Sequence, residues 1–446
     1  MHTENTRKRF LVGSGKAIIT PKLGTRLCGY PTNRFAASIH DDLTATAIVV
    51  SDGAVSAALV TVTVCSVPAP ICQRITKLVE EKTGIKHLIF SATHTHSGPP
   101  LNSVPGWGEA DSSYIEEIFL PGVVKAICDA AETMEEARMG IGQIETRTGI
   151  NRRAIRENGT VSLGRNPHGP YDPRMRVISF VSAVDEKKAL GTIIHFGAHG
   201  TAAGGPYPES PVTRDWSGVM TDRIEWMTDA PCVFLNGAIG DVAPRDFSRR
   251  KKSGERILNT IEQAMEVGGM AAVDAAEAYN RITSYFTPCV AVNTGDIHLT
   301  YEPLPSVEEA KTNYEKLAQA ALNSPMKTYE RNRWQKVIEA AGKEPETGLS
   351  YRQTLVKIGP VVFVPHPFEI FTMISLRLDE FSPVEYTLSM SNANGTNGYL
   401  PNKEEIARGG YEIWSSRYRG AYLLTEDADT ELINQNLALI REMEEQ

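Results

Sequence analysis

The segment Ser91-Ala92-Thr93-His94-Thr95-His96-Ser97-Gly98-Pro99 follows directly on a short apolar run, residues 86–92, which predicts a β-strand. Residues i and i+2 of a strand point to the same face. We therefore expect His94 and His96 to project together where the strand ends and a Gly-Pro loop begins. Two imidazoles on one face can share a metal ion, or one can bind it while the other moves protons. The spacing is also consistent with two polar loop histidines, because His-x-His alone is a weak motif.

Strands and helices alternate around this segment. Residues 45–50 and 55–64 are rich in β-branched side chains and are separated by a Ser-Asp-Gly turn signal. Residues 69–83 predict an amphipathic helix that Gly84 ends, and residues 113–136 predict a longer helix. Further strands are predicted at residues 176–183, 189–195, 231–236, 354–364 and 386–391. Alternating strands and helices predict an α/β core.

The composition changes between residues 304 and 342, where Glu, Ala, Lys and Gln dominate. This stretch predicts two helices, as an insertion or a small helical subdomain. Residues 427–444 predict a terminal amphipathic helix. Because no linker is convincing, we expect one catalytic domain over residues 10–446.

A second histidine cluster, Thr192-Ile193-Ile194-His195-Phe196-Gly197-Ala198-His199-Gly200-Thr201, also ends an apolar strand. His199 lies beside a glycine and is placed to reach outwards. His195 lies deeper in the apolar run, where a hydrogen-bonded core histidine is the usual interpretation. Ligands from separate strand ends that converge on one site are common in α/β enzymes, so the two clusters together favour a metal site.

Two acidic side chains follow other predicted strands. Asp241, in Asn236-Gly237-Ala238-Ile239-Gly240-Asp241, is a candidate partner that orients a metal-bound histidine, although an ordinary turn explains it equally well. Glu369, in Pro365-His366-Pro367-Phe368-Glu369, is expected in the first turn of a helix that runs to residue 378. A carboxylate there can complement the helix dipole or serve as an oxygen ligand.

The composition argues against several classes of partner. The net charge is -8, and the only short basic run is Arg249-Arg250-Lys251-Lys252, so we expect no nucleic-acid partner. The apolar stretches are too short for a membrane span, and no apolar run that would mark a signal peptide follows the first residues. The six cysteines are scattered without a CxxC pair, which is typical of reduced thiols. We therefore predict a cytoplasmic protein, and the sequence does not indicate an oligomeric state.

Taken together and in this order, the segments resemble the neutral/alkaline ceramidase family, over about residues 13–411. Thr93-His94-Thr95-His96-Ser97-Gly98-Pro99 matches that family's most specific motif without a change, and Cys28-Gly29-Tyr30 is similar to its Met-Gly-Tyr segment. The resemblance implies a ceramidase-like α/β catalytic domain with a mixed sheet flanked by helices, here with the helical insertion near residues 304–342.

The resemblance also implies a Zn²⁺ site and a set of catalytic residues. The family's zinc ligands fall here on His94, His199, Glu369 and Tyr399. Its other active-site residues fall on His96, Arg152, Asp241 and Tyr411, and Asp215 matches a further recurrent polar position less closely. The implied reaction is hydrolysis of an amide or ester in a small-molecule or lipid-like substrate, and our hypothesis is that metal-activated water attacks the bond.

Three departures separate this chain from the family pattern. The serine of the family's Gly-Asp-x-Ser-Pro motif is Ala243 here, so a mechanism that uses that hydroxyl does not apply. Pro100 and Leu101 replace the glycine pair after the histidine motif. We also expect no immunoglobulin-like C-terminal domain and no secretion signal. The family's metal site is therefore a better guide to this chain than the family's substrate. A smaller acylated compound or a lactone is as consistent with the sequence as ceramide.

Two rival hypotheses remain open on the sequence alone. An amidohydrolase-type barrel also places a His-x-His pair at a strand end, but it needs eight βα units and a late catalytic Asp. A non-catalytic ligand-binding relative would keep the fold and lose turnover, and Ala243 is the residue that favours it.

Overall fold

The structure is a computed structural model that describes residues 9–30, 33–105, 107–205, 209–245 and 259–445. The short basic run at residues 249–252 lies outside the described residues.

The described strands, in chain order, are β1 (Leu11–Ile18), β2 (Phe35–Ile39), β3 (Thr44–Ser51), β4 (Ser56–Val62), β5 (His87–Ala92), β6 (Glu135–Glu145), β7 (Gly149–Ile155), β8 (Val161–Asn166), β9 (Arg174–Ser182), β10 (Ala189–Phe196), β11 (Glu209–Val212), β12 (Cys232–Asn236), β13 (Val242–Pro244), β14 (Val290–Thr300), β15 (Gly348–Ile358), β16 (Val361–Pro365), β17 (Glu369–Ile370), β18 (Tyr386–Met390) and β19 (Tyr399–Leu400).

The described helices are α1 (Ala69–Thr83), α2 (Ser112–Tyr114), α3 (Leu120–Glu132), α4 (Asp215–Thr228), α5 (Ile261–Asn280), α6 (Val307–Lys316), α7 (Ala318–Leu322), α8 (Pro325–Ala340), α9 (Thr372–Phe381), α10 (Lys403–Ile406), α11 (Tyr411–Arg417) and α12 (Ala428–Glu445). A π-helical segment, Ile115–Phe119, joins α2 to α3.

The larger sheet has the strand order β12-β10-β9-β6-β1-β3-β4-β5. Strands β1 and β3 are antiparallel, whereas β4 and β5 are parallel, as are β10 and β12. The sheet is therefore mixed, and the predicted α/β class is confirmed. A second sheet has the order β14-β15-β16-β18, and β17 pairs with β19 in a short parallel ribbon.

The two large sheets pack face to face. Ile48 and Leu59 of the larger sheet share an apolar cluster with Val356 and Phe363 of the smaller one. Val49, which points to the opposite face of β3, belongs to the cluster that packs against α1 and α3. Strands buried on both faces explain why these segments are continuous apolar runs.

Helices cover the outer faces of this pair of sheets. The larger sheet packs on α1 and α3 at one end and on α4 and α5 at the other. The smaller sheet packs on α9 and α12. The resulting layers of helix, sheet, sheet and helix exclude the eightfold barrel that the amidohydrolase hypothesis requires.

Several predicted elements have the expected bounds and others do not. The predicted helix at residues 69–83 is confirmed, with Gly84 in the left-handed conformation at its end (φ 76°). The prediction for residues 113–136 is wrong at its end, because the helix stops at Glu132 and β6 begins at Glu135. The stretch predicted as two helices contains three, α6, α7 and α8.

The two outer strands of the larger sheet approach each other at the ends where the histidine clusters lie. Thr61 of β4 donates a hydrogen bond to the carbonyl of Phe234 in β12 (2.7 Å). Asn236, the last residue of β12, donates its side-chain Nδ2–H to the carbonyl of Thr93 (2.9 Å), just beyond β5. Closure of the sheet in this way brings the loop after β5 beside the loop after β10.

Candidate metal centre

A direct backbone contact joins the two histidine loops. The amide of His96 donates to the carbonyl of Gly200 (3.1 Å), and Thr95 and Gly200 form an isolated parallel bridge. A Cβ on Gly200 would lie 2.7 Å from the carbonyl oxygen of His94, so only glycine allows the loops to come this close. The positions of His94 and His199 beside each other thus follow from the backbone.

His94 is held in one tautomer by a carbonyl oxygen. It is buried, and its Nδ1 lies 2.7 Å from the carbonyl oxygen of Cys65, which can only accept. The amide side chain of Asn392 lies 2.9 Å from the same nitrogen, and it accepts from Nδ1–H when its oxygen faces the ring. Because Nδ1 carries the proton, the lone pair of His94 is on Nε2.

His199 is oriented in the same way. Its Nδ1 lies 3.1 Å from the carbonyl oxygen of Val242, so Nδ1–H donates and Nε2 keeps the lone pair. Burial, reinforced by the positive charge of Arg152, lowers the pKa of His199 to about 3. The imidazole is therefore neutral across the physiological pH range, with its lone pair on Nε2.

Glu369 faces both histidines. Its Oε2 lies 3.1 Å from Nε2 of His199 and 3.6 Å from Nε2 of His94. Burial favours the neutral acid, but His94, His199 and Arg152 outweigh it and lower the pKa of Glu369 to about 2. The carboxylate is therefore ionised beside the two imidazoles.

The helical placement predicted for Glu369 is wrong. Glu369 lies in β17, and helix α9 begins three residues later at Thr372. The ribbon of β17 and β19 places Glu369 directly opposite Tyr399. Strand pairing thereby brings Tyr399 next to the carboxylate, and the Tyr399 ring stacks on that of His199 with centroids 6.4 Å apart.

Arg152 and Glu412 hold the hydroxyl of Tyr399. The guanidinium of Arg152 donates from Nη2 to the Tyr399 hydroxyl oxygen (3.0 Å) and from Nε to Oε1 of Glu412 (2.8 Å). Arg153 donates from Nη1 to the other oxygen of Glu412 (2.8 Å). All four side chains are buried, so Glu412 compensates two desolvated guanidinium groups.

His96 is the third imidazole of the cluster. Its Nε2 lies 3.2 Å from Nε2 of His94, and Nδ1 makes no hydrogen bond within the described residues. The ring packs edge-on against Tyr30, with centroids 5.0 Å apart, and directly on Gly29, where any Cβ would clash with it. Burial lowers the pKa of His96 well below its usual value, and the neighbouring His94 adds to this effect.

Asp241 does not contact a histidine ring. Its Oδ1 accepts from the backbone amide and the hydroxyl of Thr372 (both 2.8 Å), and its Oδ2 accepts from Nδ2 of Asn151 (3.2 Å). The group that orients His199 is instead the carbonyl of the next residue, Val242. Asp241 fixes the loop after β12 to the start of α9.

Asp215 holds the loop that follows His199. Its carboxylate accepts from the amides of Ala202 (3.1 Å) and Ala203 (2.7 Å). The neighbouring Trp216 donates its indole N–H to the carbonyl of His199 (2.8 Å). His195 lies outside the centre and bonds the carbonyl of Ser389 through Nε2 (2.8 Å), as expected for a core histidine.

The centre opens into a pocket of about 110 Å³. Its walls include His94, His96, Glu369, Tyr399 and Tyr411, together with residues that were not predicted: Cys28, Cys65, Trp107, Tyr329 and Arg419. Ala243, in contrast, is fully buried in β13, where it pairs with Ile150.

The spacing of the candidate ligand atoms can be compared with the spacing that a bound metal ion requires. The candidate donor atoms of His94, His199 and Glu369 lie within 4.8 Å of one another. Nε2 of His199 and Oε2 of Glu369 are buried and make no hydrogen bond within the described residues. Donors about 2.0–2.1 Å from a tetrahedral ion lie about 3.3 Å apart, close to the spacing of Glu369 from the two imidazoles. The residues present therefore fit a metal ion.

Sequence comparison places this centre in a known family. Residues 10–231 match the family described as neutral/alkaline non-lysosomal ceramidase, N-terminal. Over these residues the chain belongs to the neutral/alkaline ceramidase family. Membership implies an amide hydrolase of a metal-dependent family, which is the coarse form of the predicted function. The matched part contains His94 and His199, whereas Glu369 and Tyr399 lie beyond it.

Solved ceramidase structures share the fold over nearly the whole chain. A crystal structure of neutral ceramidase from Pseudomonas aeruginosa has 19% sequence identity and a TM-score of 0.75, and the match covers 98% of this chain and 75% of that one. A structure described as ceramidase complexed with C2 has 18% identity and a TM-score of 0.74, covering 98% and 76%. No curated protein sequence matches this chain.

Several residues around the centre of this ceramidase-family chain were not predicted from the sequence. Glu412 directly follows the predicted Tyr411, and that adjacency was the one available signal for it. Tyr329 and Arg419 enter the pocket through tertiary contacts and carry no local signal. Among the described helices, none combines the length and apolar character that a membrane crossing requires.

Proposed function

We propose that the chain is a zinc-dependent hydrolase of amide or ester bonds. The observation that carries the proposal is the convergence of the Nε2 lone pairs of His94 and His199 on the ionised Oε2 of Glu369. A proton between Glu369 and His199 would relieve the repulsion of only two of these electron-rich atoms, whereas one metal cation would engage all three. We assign His94, His199, Glu369 and Tyr399 as the ligands of that cation.

The donor set favours zinc over harder cations. Two imidazoles, one carboxylate and one phenol oxygen form a nitrogen-and-oxygen set that suits Zn²⁺ better than Mg²⁺ or Ca²⁺. When bound, Zn²⁺ polarises a substrate carbonyl and lowers the pKa of water to about 7. The protein's own contribution is to fix both histidine tautomers through the carbonyls of Cys65 and Val242.

His96 is assigned as the general base. It lines the pocket beside His94, and its lowered pKa keeps it neutral, so that it can accept a proton at neutral pH. The packing of its ring against Gly29 and Tyr30 fixes its orientation.

Tyr411 and Arg152 are assigned to polar stabilisation. Tyr411 lines the pocket, with its ring centroid 5.9 Å from that of Tyr399, and its hydroxyl would donate to the oxyanion of a tetrahedral intermediate. Arg152 donates a hydrogen bond to the Tyr399 hydroxyl and so holds it in place, and its charge is compensated by Glu412. Asp241 is assigned a positioning role. Because Ala243 carries no hydroxyl, the mechanism uses no serine at that position.

The substrate proposed is an amide or an ester, either ceramide-like or a smaller acylated compound or lactone. Residues 10–446 are proposed to form one catalytic domain in which α6–α8 are the helical insertion. The predicted cytoplasmic location stays a prediction.

A second candidate, a ligand-binding relative without turnover, rests on Ala243. The test that separates the two is activity on short N-acyl amides, esters and lactones before and after metal removal with a chelator. We expect turnover to disappear with the metal and to return with Zn²⁺, His94→Ala to abolish it, and Ala243→Ser to leave zinc binding intact. Full turnover in chelated protein would contradict the zinc assignment. Binding without turnover in zinc-loaded protein would favour the second candidate.

A further inference from the structure

Two guanidinium groups lie near the candidate metal centre, and their charge environments differ. Arg419 lines the pocket, whereas Arg152 reaches the centre only through the hydroxyl of Tyr399. Arg152 is bonded to the buried carboxylate of Glu412 at 2.8 Å. Its charge is compensated, and its donors are occupied by Glu412 and Tyr399. Arg152 is therefore poorly placed to bind an anionic group on a substrate.

Arg419 has no such compensation. Its Nη2 donates to the carbonyl oxygen (2.8 Å) and the hydroxyl (3.3 Å) of Thr396. Within the described residues no carboxylate oxygen lies within 4.0 Å of its nitrogens, whereas Arg152 and Arg153 both have carboxylate partners. Arg419 thus places a full positive charge at the wall of the pocket.

The backbone beside Arg419 is shaped for the guanidinium. Gly398 has a φ of 79°, and a Cβ at this position would lie 3.0 Å from Cδ and 3.1 Å from Nη1 of Arg419. Gly398 immediately precedes Tyr399, and its carbonyl accepts from the amide of Glu369 (2.8 Å). The guanidinium therefore lies against the same short ribbon that carries two of the proposed ligands.

The helical segment at residues 307–340 closes this side of the pocket. Tyr329 of α8 is buried and packs against Trp107 and Trp414, with ring centroids 6.5 Å and 6.0 Å away. Lys336 of the same helix donates to the carbonyl of Arg419 (3.3 Å). These contacts hold Arg419 and an aromatic wall around a small space.

The size of that space limits the substrate. The pocket measures about 110 Å³, less than an engineered cavity of about 150 Å³ that holds benzene, and far below the roughly 300–1,000 Å³ typical of sites for drug-sized ligands. A compact acyl group with a short polar partner fits within it, whereas two long alkyl chains would have to extend beyond it.

We propose that Arg419 binds a carboxylate on the substrate, so that the preferred substrates are compact N-acylated amino acids. A guanidinium binds a carboxylate through two parallel hydrogen bonds, which neutral amides and alcohols cannot reproduce. This inference rests on the proposed hydrolase function and assigns the substrate class of the same site.

The test compares two probes of similar size, N-acetylglycine and N-acetylethanolamine, which differ in carrying a carboxylate or a hydroxyl group. We expect the zinc-loaded wild type to show a kcat/KM at least tenfold higher for N-acetylglycine. Arg419→Gln should lose about 10- to 100-fold on N-acetylglycine, chiefly through KM, and little on N-acetylethanolamine. Arg419→Lys should have a kcat/KM on N-acetylglycine between those of the wild type and Arg419→Gln, because lysine keeps the positive charge but cannot form two parallel hydrogen bonds. The matched control is Arg352→Gln, an exposed arginine of β15 paired with Asp296, which should behave as the wild type.

The outcomes separate this inference from the proposed function. Equal hydrolysis of both probes, or an equal loss on both in Arg419→Gln, overturns the role of Arg419 and leaves the hydrolase function standing. If neither probe is hydrolysed, calorimetric titration with N-acetylglycine tests whether Arg419 binds the carboxylate. Saturable binding that weakens at least tenfold in Arg419→Gln supports the carboxylate site without the reaction, and no binding to the wild type overturns it.

Discussion

His94 and Asp215 adopt left-handed backbone conformations that residues with a Cβ rarely occupy, with φ of 62° and 61°. Each such conformation costs about 1–3 kcal/mol and persists only where the surroundings enforce it. The carbonyl of Cys65 and the amide of Asn392 hold His94, and two backbone amides hold Asp215 behind the His199 loop. The strained His94 thus lies at the candidate metal centre, and the strained Asp215 lies behind one of its loops.

His366 is a buried titratable group with no evident partner. It is fully buried, and neither ring nitrogen makes a hydrogen bond within the described residues. Burial lowers the pKa of His366 to about 3, against about 6.5 in an unfolded chain. The unfolded state therefore binds more protons as the pH falls below about 6.5, and stability present above that pH is lost on the way to pH 3.

Replacement of His366 by leucine should reduce this pH dependence. Between pH 7 and pH 5.5 one such histidine removes about 1 kcal/mol from the free energy of unfolding, so His366→Leu should retain that amount. Urea denaturation of the metal-free protein at the two pH values measures it. His168→Leu, at an exposed position, serves as the control and should lose the same unfolding free energy between the two pH values as the wild type. The same loss in His366→Leu as in the wild type would show that His366 titrates normally.

At the residue scale, the histidines could be singled out from the sequence because they stand at strand ends in a distinctive motif. It did not predict Arg419, because the two elements that form its surroundings, β19 and α8, are distant in sequence. The misplacement of Glu369 has a similar origin. A first-turn carboxylate before an amphipathic helix is a local pattern, whereas pairing with Tyr399, thirty residues later, is a long-range contact.

At the scale of elements, β7 and α11 are joined by buried charges. Arg152 and Arg153 of β7 both bond Glu412 of α11 at 2.8 Å. The sequence predicted neither the strand nor this pairing, because an Arg-Arg pair in a strand has no apolar alternation to reveal it. These ion pairs fix the Tyr399 hydroxyl, through Arg152, as well as the helix that carries Tyr411.

Removal of the Glu412 charge should be strongly destabilising. Glu412→Gln removes the ion-pair partner of the buried Arg152 and leaves Arg153 with Glu405 alone, and we expect a loss of about 3 kcal/mol in the free energy of unfolding. Glu186→Gln, which breaks the exposed pair with Arg138, should cost less than about 1 kcal/mol. Denaturant unfolding of both variants gives the comparison. A similar small loss in each would mean that Glu412 does not compensate the two arginines.

For the whole molecule, the alternation of strands and helices was enough to predict the α/β class but not its architecture. Strands such as β3 are apolar on both faces, so their pattern does not reveal that a second sheet covers one of them. The approach of β12 to β4 depends on side-chain bonds such as that from Thr61 to Phe234. It is this closure of the sheet that brings the two histidine loops together.

The central claim is that the ligands assembled by this closure hold one zinc ion. Its most direct test is the metal content of the purified, zinc-supplemented protein by inductively coupled plasma mass spectrometry. We predict about one zinc per chain in the wild type and in the exposed His168→Ala control, and almost none in His199→Ala. Equal zinc in His199→Ala, or no zinc in the wild type, would contradict the metal centre and with it the proposed hydrolase.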